Sequence, residues 1–126
     1  MNATGFAARS STGPLERFDF ERRAPRSNDV VIEIHYCGVC HTDLHLAHNH
    51  FGFTTYPIVP GHEIIGRVRD VGDDVTRFKA GDMVGVGCMI DSCQHCRPCD
   101  KGWEQDCVEG PTFTYASTDR QDGSVT

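Results

Sequence analysis

The sequence predicts a mainly β chain, a barrel or sandwich of short strands, and three observations carry that reading. Val30–Tyr36 (V-V-I-E-I-H-Y) and Ile64–Val71 (I-I-G-R-V-R-D-V) are rich in β-branched residues and partly alternate apolar with polar, as a half-buried strand does. Turn-forming residues recur at short intervals, at Pro25–Asp29, Gly72-Asp73-Asp74 and Gly81-Asp82. Stretches with helical periodicity are scarce.

In chain order, Met1–Ser10 lacks the apolar core of a signal peptide and is assigned no element. Leu15–Phe20 alternates more weakly and is expected to pair with Val30–Tyr36. Thr42–His48 can form one or two helical turns. Ile64–Val71 is the second strong strand, with Val68 and Arg69 on opposite faces. Val75 and Phe78 lead through Gly81-Asp82 into a third strand, Met83–Val86. Arg97–Lys101 can form a short helical turn. Pro111–Thr126 is polar, without periodicity, and reads as loop or frayed terminus.

The 126 residues suffice for one domain, which at this size buries roughly two thirds of its unfolded surface. Hydrophobic content is only 38%, and 13 glycines imply many turns. A net charge of −6 without a long basic run argues against nucleic acid as a partner. No apolar stretch approaches the ~20 residues that cross a membrane.

The strongest chemical signal is Cys93, Cys96, Cys99 and Cys107, spaced C-x2-C-x2-C-x7-C in a polar stretch that cannot fold around a core of its own. Four thiolates at such spacing can close around one tetrahedral metal, most often zinc. An iron–sulfur cluster is the second reading, because C-x2-C-x2-C also opens ferredoxin-like runs. Disulfides are the third, disfavoured by cysteines three apart and by a total of 7. A chain without a secretory leader is expected in the reducing cytoplasm, where thiols bind metals or do chemistry.

Cys40, in Cys37-Gly38-Val39-Cys40, and His62, in Pro60-Gly61-His62-Glu63, form a second candidate pair. A catalytic zinc takes three protein ligands and keeps one position open. In isolation this pair is a weak signal, more readily read as a buried free cysteine and a surface histidine. His41, His45 and His48 would share one face of a helix, as a metal-binding or merely solvated stripe. Phe51, Phe53 and Tyr56 could line a cleft or pack a core, and Cys88 and Met89 are equally ambiguous. Cys37 reads as a small buried hydrophobe. His35, His50 and His95 are given no role.

The surroundings of Cys40 and His62 add a resemblance. Gly61-His62-Glu63-Ile64-Ile65-Gly66, five further residues and Gly72-Asp73-Asp74-Val75 match G-H-E-x2-G-x5-G-x2-V, a signature of the zinc-dependent alcohol dehydrogenases of the medium-chain dehydrogenase/reductase superfamily. Cys37–His45 resembles that family's catalytic-cysteine segment, and the cysteine run its structural-zinc lobe. Val84–Cys88 before Asp91-Ser92-Cys93 is most similar to the cinnamyl-alcohol-dehydrogenase-like subgroup. The likeness is strong from Asp29 to Cys107.

The resemblance implies a GroES-like catalytic domain: an irregular partial barrel with short helices and a zinc lobe near residues 88–110. It implies catalytic-zinc ligands Cys40 and His62, with Glu63 beside the metal as a tuning charge. It further implies that Asp43 orients the histidine, that Thr42 takes the substrate's proton, that His45 passes it to solvent, and that His41 lies near the cofactor pyrophosphate. Cys93, Cys96, Cys99 and Cys107 would hold a structural zinc. Substrates would be alcohols or aldehydes, and the cofactor NADP or NAD.

Two family features have no counterpart in these residues. No cysteine follows Cys107 to complete the catalytic site, and Gly85-Val86-Gly87 has Ile90 where a dinucleotide fingerprint needs a third glycine. The expectation is an N-terminal, incomplete part of the catalytic domain whose cofactor domain lies elsewhere. Open sheet edges would then invite another chain, as in a homo-oligomer, and the chain alone would turn over little. The alternative is a non-enzymatic zinc module or an iron–sulfur protein.

Overall fold

The computed structural model describes residues 1–126. Three small antiparallel sheets make the architecture. Strand β1 (Asn2–Ala8) pairs along its length with β2 (Leu15–Glu21). Strand β3 (Val30–Gly38), β4 (Glu63–Val71) and β5 (Met83–Val86) form a sheet in that spatial order. A short β6 (Met89–Asp91) pairs with β7 (Thr112–Phe113). The helix α1 (His41–Ala47) lies between β3 and β4, and two 3₁₀ turns, Cys99–Lys101 and Glu104–Asp106, lie between β6 and β7. No helix is long and apolar enough to cross a membrane.

The predicted strands at 64–71 and 83–86 and the helical turns near 42–48 are present. The expected pairing of Leu15–Phe20 with Val30–Tyr36 is not: β2 instead closes a hairpin with β1. The polar run Arg9–Pro14 makes a short connection, and a short loop costs less entropy to close than a long one. Strand β1 escaped notice because N-A-T-G-F-A-A holds one β-branched residue.

Helix α1 buries Asp43, Leu46 and Ala47, the i, i+3, i+4 spacing of one helical face. Two residues past its end, Asn49 turns the chain away with a left-handed φ of 56°, a conformation Asn tolerates better than most residues. On β4, Gly66 and Val68 face inward while Arg67 and Arg69 face solvent. A Cβ on Gly66 would lie 2.4 Å from the Glu33 carbonyl oxygen, so only glycine lets β3 and β4 close here.

The principal core cluster is Ala8, Leu46, Ala47, Ile58 and Tyr115, with Tyr56 and Ala116 packed against it. Strand β1 reaches this core through paired backbone hydrogen bonds between Ala8 and Ile58, 2.9 and 3.0 Å long. The chain exposes 8337 Å², against about 6,700 Å² for a typical folded chain of this mass. It therefore buries less than a domain of its length ordinarily does. Exposed apolar side chains include Ile34, Tyr36 and Ile65 on β3 and β4. Cys37, expected to be buried, is exposed for the same reason: no second layer covers the end of β3.

The tail is more than a frayed loop. Thr112 and Phe113 pair back onto β6, and Tyr115 enters the core. Beyond it, Arg26 bonds the carboxylates of Asp119 and Asp122, while Arg23 grips Asp29 and lies 3.4 Å from Asp119. The Arg23 guanidinium holds the Asp29 carboxyl below the usual carboxylate range, and Arg26 does the same to Asp119. Asp122 is lowered first by the Ser124 hydroxyl and backbone N–H and then by Arg26.

Candidate metal centres

Three groups of metal-type donors form: the four lobe cysteines, Cys40 with His62 and Glu63, and Cys93 with His95 and Glu109, which shares a cysteine with the first. In the lobe, the sulfur atoms of Cys93, Cys96, Cys99 and Cys107 all lie within 4.8 Å of one another. Cys93 and Cys99 are 3.8 Å apart, and Cys96 and Cys99 3.4 Å. A tetrahedron with Zn–S bonds of roughly 2.3 Å has edges of about 3.8 Å, so the spacing fits one four-coordinate ion. All seven cysteines are free thiols.

The 3₁₀ turns and the left-handed Gly102 (φ 74°) fold the lobe back on itself. Backbone donors crowd the sulfurs. The N–H groups of Cys99 and Val108 bring the Cys96 thiol down to about 6. The Cys93 N–H lowers Cys107 in the same way. Cys93 accepts from the His95 N–H, yet burial and the neighbouring Cys96 thiol hold it up at about 11. Four thiolates cannot coexist at this distance without a cation among them, and a divalent metal supplies one. His95 serves the lobe's surface, pairing with Glu109 at 2.9 Å.

The second group gathers Cys40, His62 and Glu63, whose ligand atoms also lie within 4.8 Å of one another. Cys40 sits where β3 gives way to α1 in extended conformation. His62 and Glu63 stand at the entry to β4, and Gly61 before them has φ 131°. A Cβ there would also press to 2.8 Å from the Cys37 sulfur, so glycine alone lets His62 swing toward Cys40. The donor set of one thiolate, one imidazole and one carboxylate suits zinc. His62 is buried and Glu63 exposed.

Asp43 lies behind the histidine as expected, its Oδ1 3.4 Å from His62 Nδ1. The Cys40 backbone N–H donates to Asp43 Oδ2 at 2.8 Å. Tyr115, to which the sequence reading gave no role, donates its hydroxyl to Asp43 Oδ1 at 2.6 Å and stacks on His62. Burial and the Asp43 carboxylate push the phenol far above its ordinary range. The available hint was a pair of aromatics, Phe113 and Tyr115, set in an otherwise polar tail.

Thr42 is half-buried on α1, one residue from Asp43. The His45 ring turns toward His50, with Nδ1 atoms 2.8 Å apart, instead of extending a histidine stripe. His41 and His45 share a helical face, but His48 lies just past the end of α1 at Ala47 and bonds the Ser11 carbonyl at 2.8 Å. Burial, followed by the charges of His41 and His50, lowers the His45 pKa. His41 is exposed, its ring centroid 4.6 Å from that of His45. Phe51 and Phe53 stack on one another and stay exposed near His45. Tyr56 instead packs on the core and donates to the Ala47 carbonyl at 2.7 Å.

Comparison with known proteins adds to this geometry. Residues 26–125 match the family described as the alcohol dehydrogenase GroES-like domain. A probable cinnamyl alcohol dehydrogenase of Oryza sativa subsp. japonica is 54% identical over all 126 residues, which span 34% of its own length. The solved structure of a cinnamyl alcohol dehydrogenase from Sorghum bicolor superposes with a TM-score of 0.95 at 45% identity, covering 100% of this chain and 36% of that one. The CAD of Helicobacter pylori complexed with NADP(H) gives 0.91 at 41% identity, covering 98% and 36%. The chain thus spans about a third of the length of the curated relatives it matches. It belongs to the alcohol dehydrogenase GroES-like domain family, in the cinnamyl-alcohol-dehydrogenase-like branch of the zinc-dependent medium-chain dehydrogenases/reductases.

Proposed function

We propose that this chain supplies the metal- and substrate-binding part of an enzyme that interconverts alcohols and aldehydes with NADP(H) or NAD(H). The observation that carries this reading is the convergence of Cys40, His62 and Glu63 on one point, with Asp43 behind the histidine. Cys40 and His62, with Glu63 beside them, leave room on a tetrahedral ion for an incoming oxygen, whereas the four sulfurs of the lobe leave none. Zinc held by Cys40 and His62 would polarise a substrate oxygen and lower the pKa of its hydroxyl.

The remaining work falls to the chain's own side chains. Asp43 holds His62 in place, as carboxylates commonly do for metal-binding histidines. Thr42 accepts the substrate hydroxyl's proton as it gives up its own, and His45, titrating below an ordinary histidine, carries the relayed proton outward. Glu63 tunes the site by its charge. His41, exposed on the first turn of α1, meets the cofactor pyrophosphate. The relative from Helicobacter pylori was solved with NADP(H), which favours the phosphorylated cofactor. The uncovered apolar face of β3 and β4 suits burial against another domain or a second copy. Seven free thiols suit a reducing compartment such as the cytoplasm.

The test is Cys40→Ala in a polypeptide that carries both this chain and a nicotinamide-binding domain. The substitution should abolish aldehyde-dependent NADPH oxidation and leave the circular dichroism spectrum unchanged. Retained activity would overturn the assignment of Cys40.

A further inference from the structure

Asp43 is placed by two good hydrogen bonds, and neither comes from His62. Tyr115 Oη donates to Oδ1 at 2.6 Å, and the Cys40 N–H to Oδ2 at 2.8 Å. The His62 Nδ1 contact with the same Oδ1, at 3.4 Å, is long for a hydrogen bond. The carboxylate is therefore positioned by the tyrosine and the backbone, and the imidazole takes its orientation from the carboxylate.

Tyr115 also touches His62 directly. The two rings are nearly parallel, with centroids 5.6 Å apart and an interplanar angle of 15°, so the phenol limits rotation of the imidazole on one side. Tyr115 and Asp43 are both buried, and water cannot easily replace the lost donor. Tyr115 is brought here by the β6–β7 pairing at the base of the cysteine lobe, followed by the left-handed Ala116 (φ 54°).

We propose that Tyr115 is a positioning residue for the Cys40–His62 metal site. Through Asp43 and through its own ring it holds His62 with Nδ1 inward and Nε2 toward the metal. The proposal rests on reading Cys40 and His62 as ligands. Outer-sphere partners of metal-bound histidines typically govern metal affinity by 10–100-fold. Tyr115→Phe keeps the ring and the packing and removes only the donor.

The test uses the whole chain with its cysteine lobe filled with zinc, titrated with Co²⁺ and followed by cobalt–thiolate absorption. Y115F should weaken cobalt binding by about 10–100-fold while the lobe keeps its zinc. Asp43→Asn should weaken it similarly, and Y115F should add little in that background, because the two act in series. Equal affinity in wild type and Y115F would overturn the role of Tyr115 and leave the site standing. No thiolate absorption in wild type, or absorption that survives Cys40→Ala, would overturn the site itself and the inference with it. A further measurement requires no variant. A long-range ¹H–¹⁵N spectrum of the wild-type chain should show neutral His62 protonated on Nδ1, and the Nε2–H tautomer would contradict the proposal.

Discussion

All four donors of the lobe lie within the single stretch Cys93–Cys107, whereas the Cys40–His62 group is assembled from the end of β3, the start of α1, the entry to β4 and a tyrosine from the tail. The first is a closed set of four sulfurs in a polar segment with almost no core. The second is an open set of three unlike donors beside the best-packed part of the molecule. A local, closed site organises the chain around the metal, and a distributed, open one is organised by the fold. The first geometry suits holding a metal, the second suits using one.

The largest effect expected from this contrast is chelation of the lobe. Structural zinc contributes on the order of 10 kcal/mol to small zinc peptides, and residues 92–110 bury only Ser92, Cys99 and Cys107. After strong chelation, hydrogen exchange should collapse to unprotected rates across that stretch, while β3 and β4 remain protected. Uniform loss of protection across the chain would contradict the division.

Ile58→Ala attacks the other side. Ile58 is 4% exposed in the core beneath α1, and truncations of this kind cost about 2–5 kcal/mol. The unfolding midpoint in urea should fall by that amount, and cobalt affinity at Cys40 should weaken with it. Zinc in the lobe should stay bound, since its ligands do not depend on that core. Release of lobe zinc in this variant would show the two regions to be one cooperative unit.

Cys40→Ala should be milder still for stability, about 1 kcal/mol or less, yet remove metal binding at the open site. A large drop in the unfolding midpoint would instead make Cys40 a packing residue.

Acid gives the smallest effect. Asp29, Asp119 and Asp122 are depressed in the folded chain, so their contribution is complete above the unfolded carboxylate value of about 3.9. It is lost as pH falls through the lower folded values. Between pH 7 and pH 5 this clasp should change nothing. Below about pH 4 the tail carrying Tyr115 should loosen, and Asp119→Asn should flatten that decline. An unaltered acid response in the variant would remove the clasp from the account.

Legibility in the sequence followed the same division. The four lobe cysteines could be picked out because they are neighbours in the chain and thiol spacing is itself the signal. Strands β4 and β5 and helix α1 announced themselves by period and by glycine turns. Strand β1 did not, since its buried residues are two alanines whose place is set by Ile58 across the molecule. Tyr115 was invisible because its partner Asp43 is 72 residues away, and no periodicity reports a contact at that range. Cys37 departs from the expected burial because small apolar residues are usually covered, and here the sheet end has no second layer.

Zinc release is the most direct test of the contrast between the two sites. The chain would be loaded with excess zinc, freed of unbound metal and titrated with a chelator of graded strength while released zinc is counted. Two steps are predicted. About one zinc per chain should leave to a weak chelator and be missing from Cys40→Ala. A second should leave only to a strong chelator and be lost in Cys96→Ser. Simultaneous release of both, or a first step indifferent to Cys40, would contradict the account.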